Sequence, residues 1–367
     1  MGTTSDDAVP AMRSWRGRRG LVLALVLPVL AIASFSTVHL VSALGSAGSA
    51  ARAGALARLT ADSTGLAAAL EAERNETVRF VALGAAPNGG NAGRGSDVTS
   101  ADYKLEQAVL RRAYAATDRS ARQVTAAARA IGGSYPAVVR QQAASEVAAL
   151  GNLAGLRRSS TTTNLPSLDI ISEYTSVIRP VLAIGKEAGP GRGEEDLARA
   201  GQELTLVAGA REDAARQSAI LLSALSPDLT TQGDFGPDRL RAITAAVSEQ
   251  QAAQVAFDGM AGPQQRQQYR AAMSAPQVTQ AQAMVQQAIV LAQSGLQDPT
   301  IGEAGTGLVY VQEGLGHVEA QLAAAEQSMA STLHTRAVLS ALGYGLLLAV
   351  LAVMLCTVFR PRLPRRA

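Results

Sequence analysis

Two long stretches without a formal charge constrain the fold of this chain more than any other feature. They are residues 21–44 and 337–359, which contain 24 and 23 residues. Crossing the hydrocarbon layer takes ~20 apolar residues, because a helix rises ~1.5 Å per residue and the layer is ~30 Å thick. The sequence therefore predicts two transmembrane helices, with residues 45–335 forming a separate domain between them.

Arginine residues flank both predicted spans and indicate their orientation. Four precede the first span, and five others lie beside or after the second. Positively charged flanks stay in the cytoplasm. We therefore predict a multi-pass protein of the cell membrane, with cytoplasmic tails at residues 1–20 and 360–367 and residues 45–335 outside the cell. A cleaved signal peptide is the alternative for the first span, although signal h-regions are shorter, at ~7–15 residues.

The distribution of charge excludes a nucleic-acid-binding protein. The whole chain has an isoelectric point of about 9.2. Of 33 Lys and Arg residues nine lie outside residues 45–335, and of 30 Asp and Glu residues two do, which leaves 24 basic and 28 acidic residues inside. The basic character thus belongs to the membrane flanks. The single cysteine, Cys356, lies in the second span, so the outer domain has no disulfide bond.

Composition and periodicity predict an all-α fold for the outer segment. Good helix formers dominate it, and apolar residues recur three and four positions apart. Helices of this kind bury one face against neighbours, so we expect a helical bundle or two stacked four-helix bundles. Turn residues predict a break at 87–90, a helix over 136–158 and a Ser/Thr-rich loop over 159–164.

No catalytic, metal or cofactor motif is visible in the sequence. The three histidines, His39, His317 and His334, do not have metal-ligand spacing. Glycine patterns of nucleotide-binding loops and the nucleophile elbow are absent from strand-to-helix settings. We therefore expect a protein that is not an enzyme and that uses no cofactor.

The informative residue of the first outer helix is Arg74. Leu66, Leu70, Arg74, Thr77 and Val81 are separated by steps of three or four and share one helix face. A guanidinium group on a buried face needs a carboxylate or a bound anion to offset its charge. The carboxylate could come from Glu71, Glu73 or a neighbouring helix, and both explanations stay open.

A second arginine stripe lies further along the chain. Arg211 shares a helix face with Leu204 and Ala208, and Arg216 lies on the flank of that face. Pairing with Glu212 or Asp213 explains these arginines equally well. Arg266 and Arg270 are four positions apart and are expected on a solvated face. Because guanidinium groups match planar oxyanions, arginines from different helices could form a small-anion site without a cofactor.

Several of these segments resemble one family of sensor domains. The run 70–77, Leu-Glu-Ala-Glu-Arg-Asn-Glu-Thr, resembles the opening signature of the nitrate- and nitrite-sensing domain. Later segments of that family resemble, in the expected order, residues 173–178, 210–217, 250–257 and 266–269. The similarity covers roughly residues 60–325, and it is closest to the versions carried by sensor histidine kinases of actinobacteria.

The resemblance implies an all-helical extracytoplasmic sensor that binds nitrate or nitrite through arginines. Arg74 lies on the Glu-Arg motif of the family, and Arg216 lies in its second arginine-bearing segment. Ser218 stands where a further arginine is expected. Together with the stripe position Arg211, the predicted ligand-binding residues are Arg74, Arg211 and Arg216.

We therefore expect a receptor that binds nitrate or nitrite and signals across the bilayer. Only eight residues follow the second span, so we expect a separate partner such as a histidine kinase, and a homodimer by analogy with other two-span receptors. The alternatives are a scaffold that senses nothing and the remnant of a truncated sensor kinase. An acidic partner within hydrogen-bond reach of Arg74 favours the scaffold.

Overall fold

A computed structural model of the chain describes residues 13–82, 100–162, 165–184, 195–224, 235–296 and 300–359. Throughout these residues the chain is helical apart from turns and short connections, and it contains no strand. The all-α prediction is confirmed. The helices are α1 (Arg13–Ala82), α2 (Ser100–Arg129), α3 (Ala137–Gly151), α4 (Leu153–Thr162), α5 (Ser167–Ala183), α6 (Glu195–Ser223), α7 (Pro237–Met260), α8 (Pro263–Met273), α9 (Pro276–Gln293) and α10 (Ile301–Phe359).

The first and last helices are by far the longest, and each contains a strongly apolar stretch. Helix α1 has 70 residues and α10 has 59. Both contain a window long and apolar enough to cross a membrane. The predicted spans at residues 21–44 and 337–359 lie within these two helices.

The chain divides into two compact units, and residues 1–51 and 331–367 form the first. Its described aliphatic and aromatic side chains are largely exposed, as at Phe35, Val38 and Leu346. The ring of His39 stacks on the ring of Tyr344, with the ring centroids 5.3 Å apart. An exposed apolar surface of this kind is typical of helices that face lipid.

Residues 52–330 form the second unit, which contains a continuous hydrophobic core. Helices α1 to α5 make one group, since α1 bonds through its side chains or backbone to each of the other four. Helices α6 to α10 make the other group, in which α6 packs on α7 and α7 on α9. Contacts of α6 with α1 and α5 join the groups. Core side chains from both groups include Leu66, Leu70, Ile178, Leu204, Ile220 and Leu315.

Two predicted boundaries are wrong. The helix expected over 136–158 is interrupted at Asn152, where α3 ends and α4 begins. The loop expected over 159–164 is helical as far as Thr162. There the hydroxyl groups of Thr161 and Thr162 donate to the carbonyl oxygens of Arg157 and Arg158 one turn earlier, which makes these residues compatible with a helix.

The predicted break at 87–90 and residues 163–164 lie outside the described residues.

Glycine has a clear structural role at two positions in the second unit. Gly295 ends α9 in the left-handed conformation, with φ at 69°, and the next residue, Leu296, donates its N–H to the carbonyl oxygen of Leu291. Gly305 lets α10 approach α6 closely, because a Cβ there would lie 3.2 Å from Leu221 Cβ. The close approach lies at the Leu221 end of α6.

Candidate functional site

Arg74 lies completely buried on α1, on the helix face that the spacing of apolar residues predicts. Its Nη1 and Nη2 atoms donate to Oε1 and Oε2 of Glu212 on α6, at 2.6 and 2.9 Å. Nη1 also donates to the hydroxyl oxygen of Thr175 on α5, at 3.1 Å. The neighbouring helix therefore supplies the acidic partner, and the arginine ties α1, α5 and α6 together.

The preceding residue, Glu73, belongs to a second buried ion pair, which faces the other helices of the first group. Arg157 on α4 donates from Nε and Nη2 to the two carboxylate oxygens of Glu73, at 2.9 and 2.7 Å. Arg157 also donates from Nη1 to Asp118 on α2 and stacks over the ring of Tyr114, 4.6 Å from its centroid. Tyr174 donates its hydroxyl to Glu73 at 2.9 Å. The Glu-Arg motif thus places two opposite charges in two separate pairs.

These surroundings raise the pKa values of both tyrosines beside Glu73. Burial is the main cause for Tyr114, and the negative charge of Glu73 adds to it, so that its pKa rises to about 12. Burial and the charge of Glu73 raise the pKa of Tyr174 further. Both phenols therefore stay neutral, and Tyr174 acts as a hydrogen-bond donor to Glu73.

Arg211 on α6 lies between α1 and α10 and is almost completely buried. Its Nη2 donates to the carbonyl oxygen of Thr64 at 3.1 Å, and its Nε lies 3.3 Å from Oε2 of Glu71. Its Nη1 lies 3.3 Å from Oε2 of Glu319 on α10. Nη2 also donates to Oε1 of Glu71 at 3.4 Å, so both oxygens of that carboxylate approach one edge of the guanidinium group. All of these ion-pair contacts are longer than those between Arg74 and Glu212.

Arg74 and Arg211 each have one N–H donor that makes no aligned hydrogen bond to the described residues. The Nε atoms of Arg74 and Arg211 are buried, and neither has an aligned hydrogen-bond acceptor among those residues. An unsatisfied buried donor on a charged group is costly, at ~1–3 kcal/mol or more. A hydrogen-bond acceptor that reached either donor would offset this cost.

Burial raises the pKa of the carboxyl groups around Arg211. The pKa of Glu71 rises to about 8, since burial and the negative charges of Glu212 and Glu319 outweigh the attraction of Arg211 and Arg74. Burial also raises the pKa of Glu319, against the attraction of Arg211. The electrostatic influence of both arginines on Glu71 makes the five groups one cluster, called here the Arg74–Arg211 cluster: Glu71, Arg74, Arg211, Glu212 and Glu319.

The third predicted ligand residue, Arg216, lies in a different group of charges. Its Nη2 donates to Asp213 at 2.8 Å and to Glu249 on α7 at 2.7 Å. Burial raises the pKa of Asp213 to about 7, although Arg216 opposes this shift. The structure therefore brings Arg74 and Arg211 into one cluster and pairs Arg216 with α7.

Ser218, where the sequence comparison raised the expectation of another arginine, faces α10. Its hydroxyl donates to the carbonyl oxygen of Gly305 at 2.7 Å, and its side chain is buried. An arginine there would have to enter the close contact between α6 and α10. The small side chain is consistent with that packing.

Sequence reasoning did not find Glu319, Arg157 and Tyr174 as members of the buried network. Tyr174 lies inside the segment 173–178 that resembles the family, so the resemblance marked its position but not its contact with Glu73. No sequence pattern marked Glu319 or Arg157, because a lone charged residue on a long helix is usually solvated.

Two open clefts lie elsewhere on the second unit. One, of about 510 Å³, is lined by α8 residues including Arg266 and Arg270. The side chain of Arg270 is 67% exposed, as expected for a solvated face, whereas Arg266 is partly buried and donates to the carbonyl oxygen of Asp258. The other cleft, of about 720 Å³, lies between α3, α4 and α5 and includes Asp169 and Glu173.

Comparisons with known proteins agree with this architecture. The family model described as "Nitrate and nitrite sensing" matches residues 65–334. A solved structure of the NasR transcription antiterminator shares the fold, with a TM-score of 0.62 and 16% sequence identity over 90% of this chain and 83% of that chain. A comparison with curated proteins gave no match. Since the family model covers most of the chain, this protein belongs to the nitrate- and nitrite-sensing family.

Proposed function

We propose that this protein is a membrane-anchored receptor whose outer helical domain binds nitrate or nitrite and signals across the membrane through a separate partner. The ligand lies at the Arg74–Arg211 cluster. The observation that carries the proposal is the burial of two guanidinium groups on neighbouring helices of a nitrate- and nitrite-sensing domain, each with an Nε that makes no aligned hydrogen bond to the described residues. Arg216, the third arginine predicted from the sequence, stays a candidate ligand.

The carboxylate of Glu212 indicates how the anion binds. Carboxylate and nitrate are both planar and both present two oxygens to the fork of an arginine. Glu212 and the ligand are therefore alternative partners of Arg74. We infer that nitrate displaces Glu212 from Arg74, while Arg211 supplies the second positive charge.

This exchange also suggests how binding produces a signal. The Arg74–Glu212 pair is a bond between α1 and α6, so displacing Glu212 changes the interaction between these helices. A ligand that prefers one helix arrangement shifts the population toward it. Helix α1 also contains the first apolar stretch, and α10, which supplies Glu319, contains the second. A histidine kinase or a second copy of the chain would read the shift.

The proposed topology has two transmembrane helices with both termini in the cytoplasm. It rests on the two apolar stretches and on their arginine flanks. Fusing a periplasmic-active or cytoplasm-active reporter after residue 367 tests the orientation. Activity of the reporter that works only outside the cytoplasm would contradict it.

A scaffold that binds another envelope protein is the second candidate function. The observation that favours it is the internal pairing of Arg74, whose fork is completely occupied by Glu212. A buried arginine that is neutralised within the fold needs no ligand. In a scaffold, the pair would only fix the arrangement of α1 and α6.

Calorimetric titration of the full-length protein in lipid nanodiscs with nitrate and nitrite separates these candidates. Chloride at equal ionic strength serves as the control anion. Saturable heat from nitrate or nitrite, but not from chloride, supports the receptor. Absence of heat from either anion at millimolar concentration favours the scaffold.

Two variants assign the binding to the cluster. The double variant Arg74→Met/Glu212→Met removes the ion pair and keeps the volume, so the fold is retained and binding is lost. The variant Arg270→Ala removes an exposed arginine of α8 and leaves binding unchanged. Unchanged binding in the double variant would move the ligand site away from Arg74.

A further inference from the structure

The Arg74–Arg211 cluster contains more acidic than basic groups. Two guanidinium groups, Arg74 and Arg211, face three carboxyl groups, Glu71, Glu212 and Glu319. All five residues are buried, and none is more than 8% exposed. With all carboxyl groups ionised, the cluster would carry a net negative charge before any ligand entered.

Adding an anion to such a cluster is electrostatically unfavourable unless a charge is removed. Like charges in a poorly solvated site repel strongly, and a buried carboxylate without a full partner takes up a proton instead. Displacing Glu212 from Arg74 does not remove its charge from the vicinity. The positive charge of the two arginines can then neutralise one carboxylate and the ligand, but no more.

We propose that nitrate binds at the Arg74–Arg211 cluster together with a proton held on Glu71 or Glu319, so that binding takes up a proton wherever that carboxyl is ionised in the free protein. This inference rests on the proposed function and adds two residues to the site. Among the described residues, neither carboxyl group forms an ion pair with Arg74, which pairs with Glu212. Both contact Arg211, from α1 and from α10, at 3.3 Å.

The charged and polar groups around Glu71 and Glu319 are consistent with proton uptake by these two carboxyl groups. Glu71 faces Arg74 on its own helix, Arg211 and Glu212 on α6 and Glu319 on α10. Burial already raises its pKa to about 8. Glu319 faces Arg211 and the hydroxyl of Thr64, and burial raises its pKa as well. An added anion would raise both pKa values further, because it disfavours the ionised carboxylates.

The sign of the pH dependence follows from the proton count. Wherever the free protein has lost this proton, the nitrate complex holds more protons than the free protein, so raising the pH weakens binding. Glu71 loses its proton in the free protein above about pH 8. The affinity for nitrate should therefore fall by about tenfold between about pH 7 and pH 9, since one linked proton gives a tenfold change per pH unit above the pKa. Nitrate is the anion of a strong acid and does not itself titrate in this range.

The experiment is calorimetric titration of the full-length protein in nanodiscs with sodium nitrate over this pH range. Repeating it in buffers of different ionisation enthalpy counts the protons that are taken up. The variant Glu71→Gln imitates the protonated carboxyl, so it should abolish the fall in affinity at high pH. Glu319→Gln tests the second acceptor in the same way, and thermal unfolding verifies that each variant is folded.

Glu326→Gln is the matched control. Glu326 lies on the same helix as Glu319, seven residues further on, and it is also buried with a pKa raised by burial to about 8. It makes no ion pair with either arginine among the described residues. Its removal should therefore leave the pH dependence of nitrate binding unchanged.

Three outcomes overturn the inference, and they are distinguishable. Nitrate binding with constant affinity and no proton uptake rejects proton coupling but leaves nitrate sensing intact. A pH dependence that the double variant Glu71→Gln/Glu319→Gln retains assigns the proton to other groups. Absence of nitrate binding at every pH rejects the proposed function and the inference with it.

Discussion

Arg74 and Glu212 form two parallel hydrogen bonds, of 2.6 and 2.9 Å, between helices α1 and α6 in the core of the second unit. The residues are 138 positions apart in the sequence. Since the arginine side chain is completely buried, each partner depends on the other to offset its loss of hydration. The pair therefore has a structural role whether or not an anion competes for the arginine.

Removing one member of this pair should destabilise the protein more than removing both. Arg74→Met leaves the Glu212 carboxylate buried without its cation, and we expect a loss of about 3–5 kcal/mol in the free energy of unfolding. In the double variant Arg74→Met/Glu212→Met the cost should be small or even reversed, because apolar side chains of similar volume replace the pair. Chemical denaturation followed by circular dichroism measures both. Additive effects of the two single changes would contradict the pairing.

Arg157 has two acidic partners, Glu73 and Asp118, and their different burial predicts different contributions to stability. Glu73 is completely buried, whereas Asp118 is about half exposed. Arg157→Ala should cost about 3–5 kcal/mol of stability, because Glu73 loses its cation in the core. Asp118→Ala should cost less than about 1 kcal/mol, since its side of the pair is solvated. Equal losses in denaturation experiments would show that Glu73 is not the essential partner.

The buried carboxyl group of Glu326 should lower the stability of the folded protein as the pH rises. Burial raises its pKa to about 8 in the folded chain, and its Oε2 atom has no hydrogen-bond partner among the described residues. The folded state therefore holds this proton more tightly than the unfolded state, whose Glu pKa is ~4.3. The resulting stability is fully present below about pH 4 and is lost as the pH rises to about 8. Glu326→Gln should remove this component.

Thermal unfolding of the wild-type protein and the Glu326→Gln variant, measured from acidic to neutral and mildly alkaline pH, provides the comparison. The difference in midpoint should grow in favour of the variant as the pH increases. Parallel curves would mean that the carboxyl group of Glu326 titrates normally.

Arg211 and Arg216, both on α6, should contribute unequally to nitrate binding. Arg211→Met should weaken the affinity by at least about tenfold, because a charged hydrogen-bond donor is worth roughly 1.5–3 kcal/mol. Arg216→Met should have a smaller effect, since Arg216 pairs with Asp213 and Glu249 in a separate group. Calorimetry on both variants tests this ranking. An equal or larger loss in Arg216→Met would support the role that the sequence predicts for Arg216.

Periodicity and local chemistry made much of this architecture predictable. The uncharged stretches of α1 and α10, the helical content and the buried face of Arg74 all depend on residues within a few turns of one another. The wrong prediction of a loop over 159–164 also comes from local chemistry. Threonine hydroxyls can bond either to a turn or to the preceding helical turn, and the sequence does not distinguish these arrangements.

What the sequence by itself determined was that a guanidinium group at residue 74 must be buried and needs a negative partner. Helix periodicity fixes the direction of a side chain, so the burial of Arg74 follows from its own segment. The choice of Glu212 as partner, and the convergence of Glu71 and Glu319 on Arg211, was decided only by the tertiary structure. Packing of α1, α6 and α10 brings together charges that are far apart along the chain, and nothing local specifies which of the nearby carboxylates will meet which arginine.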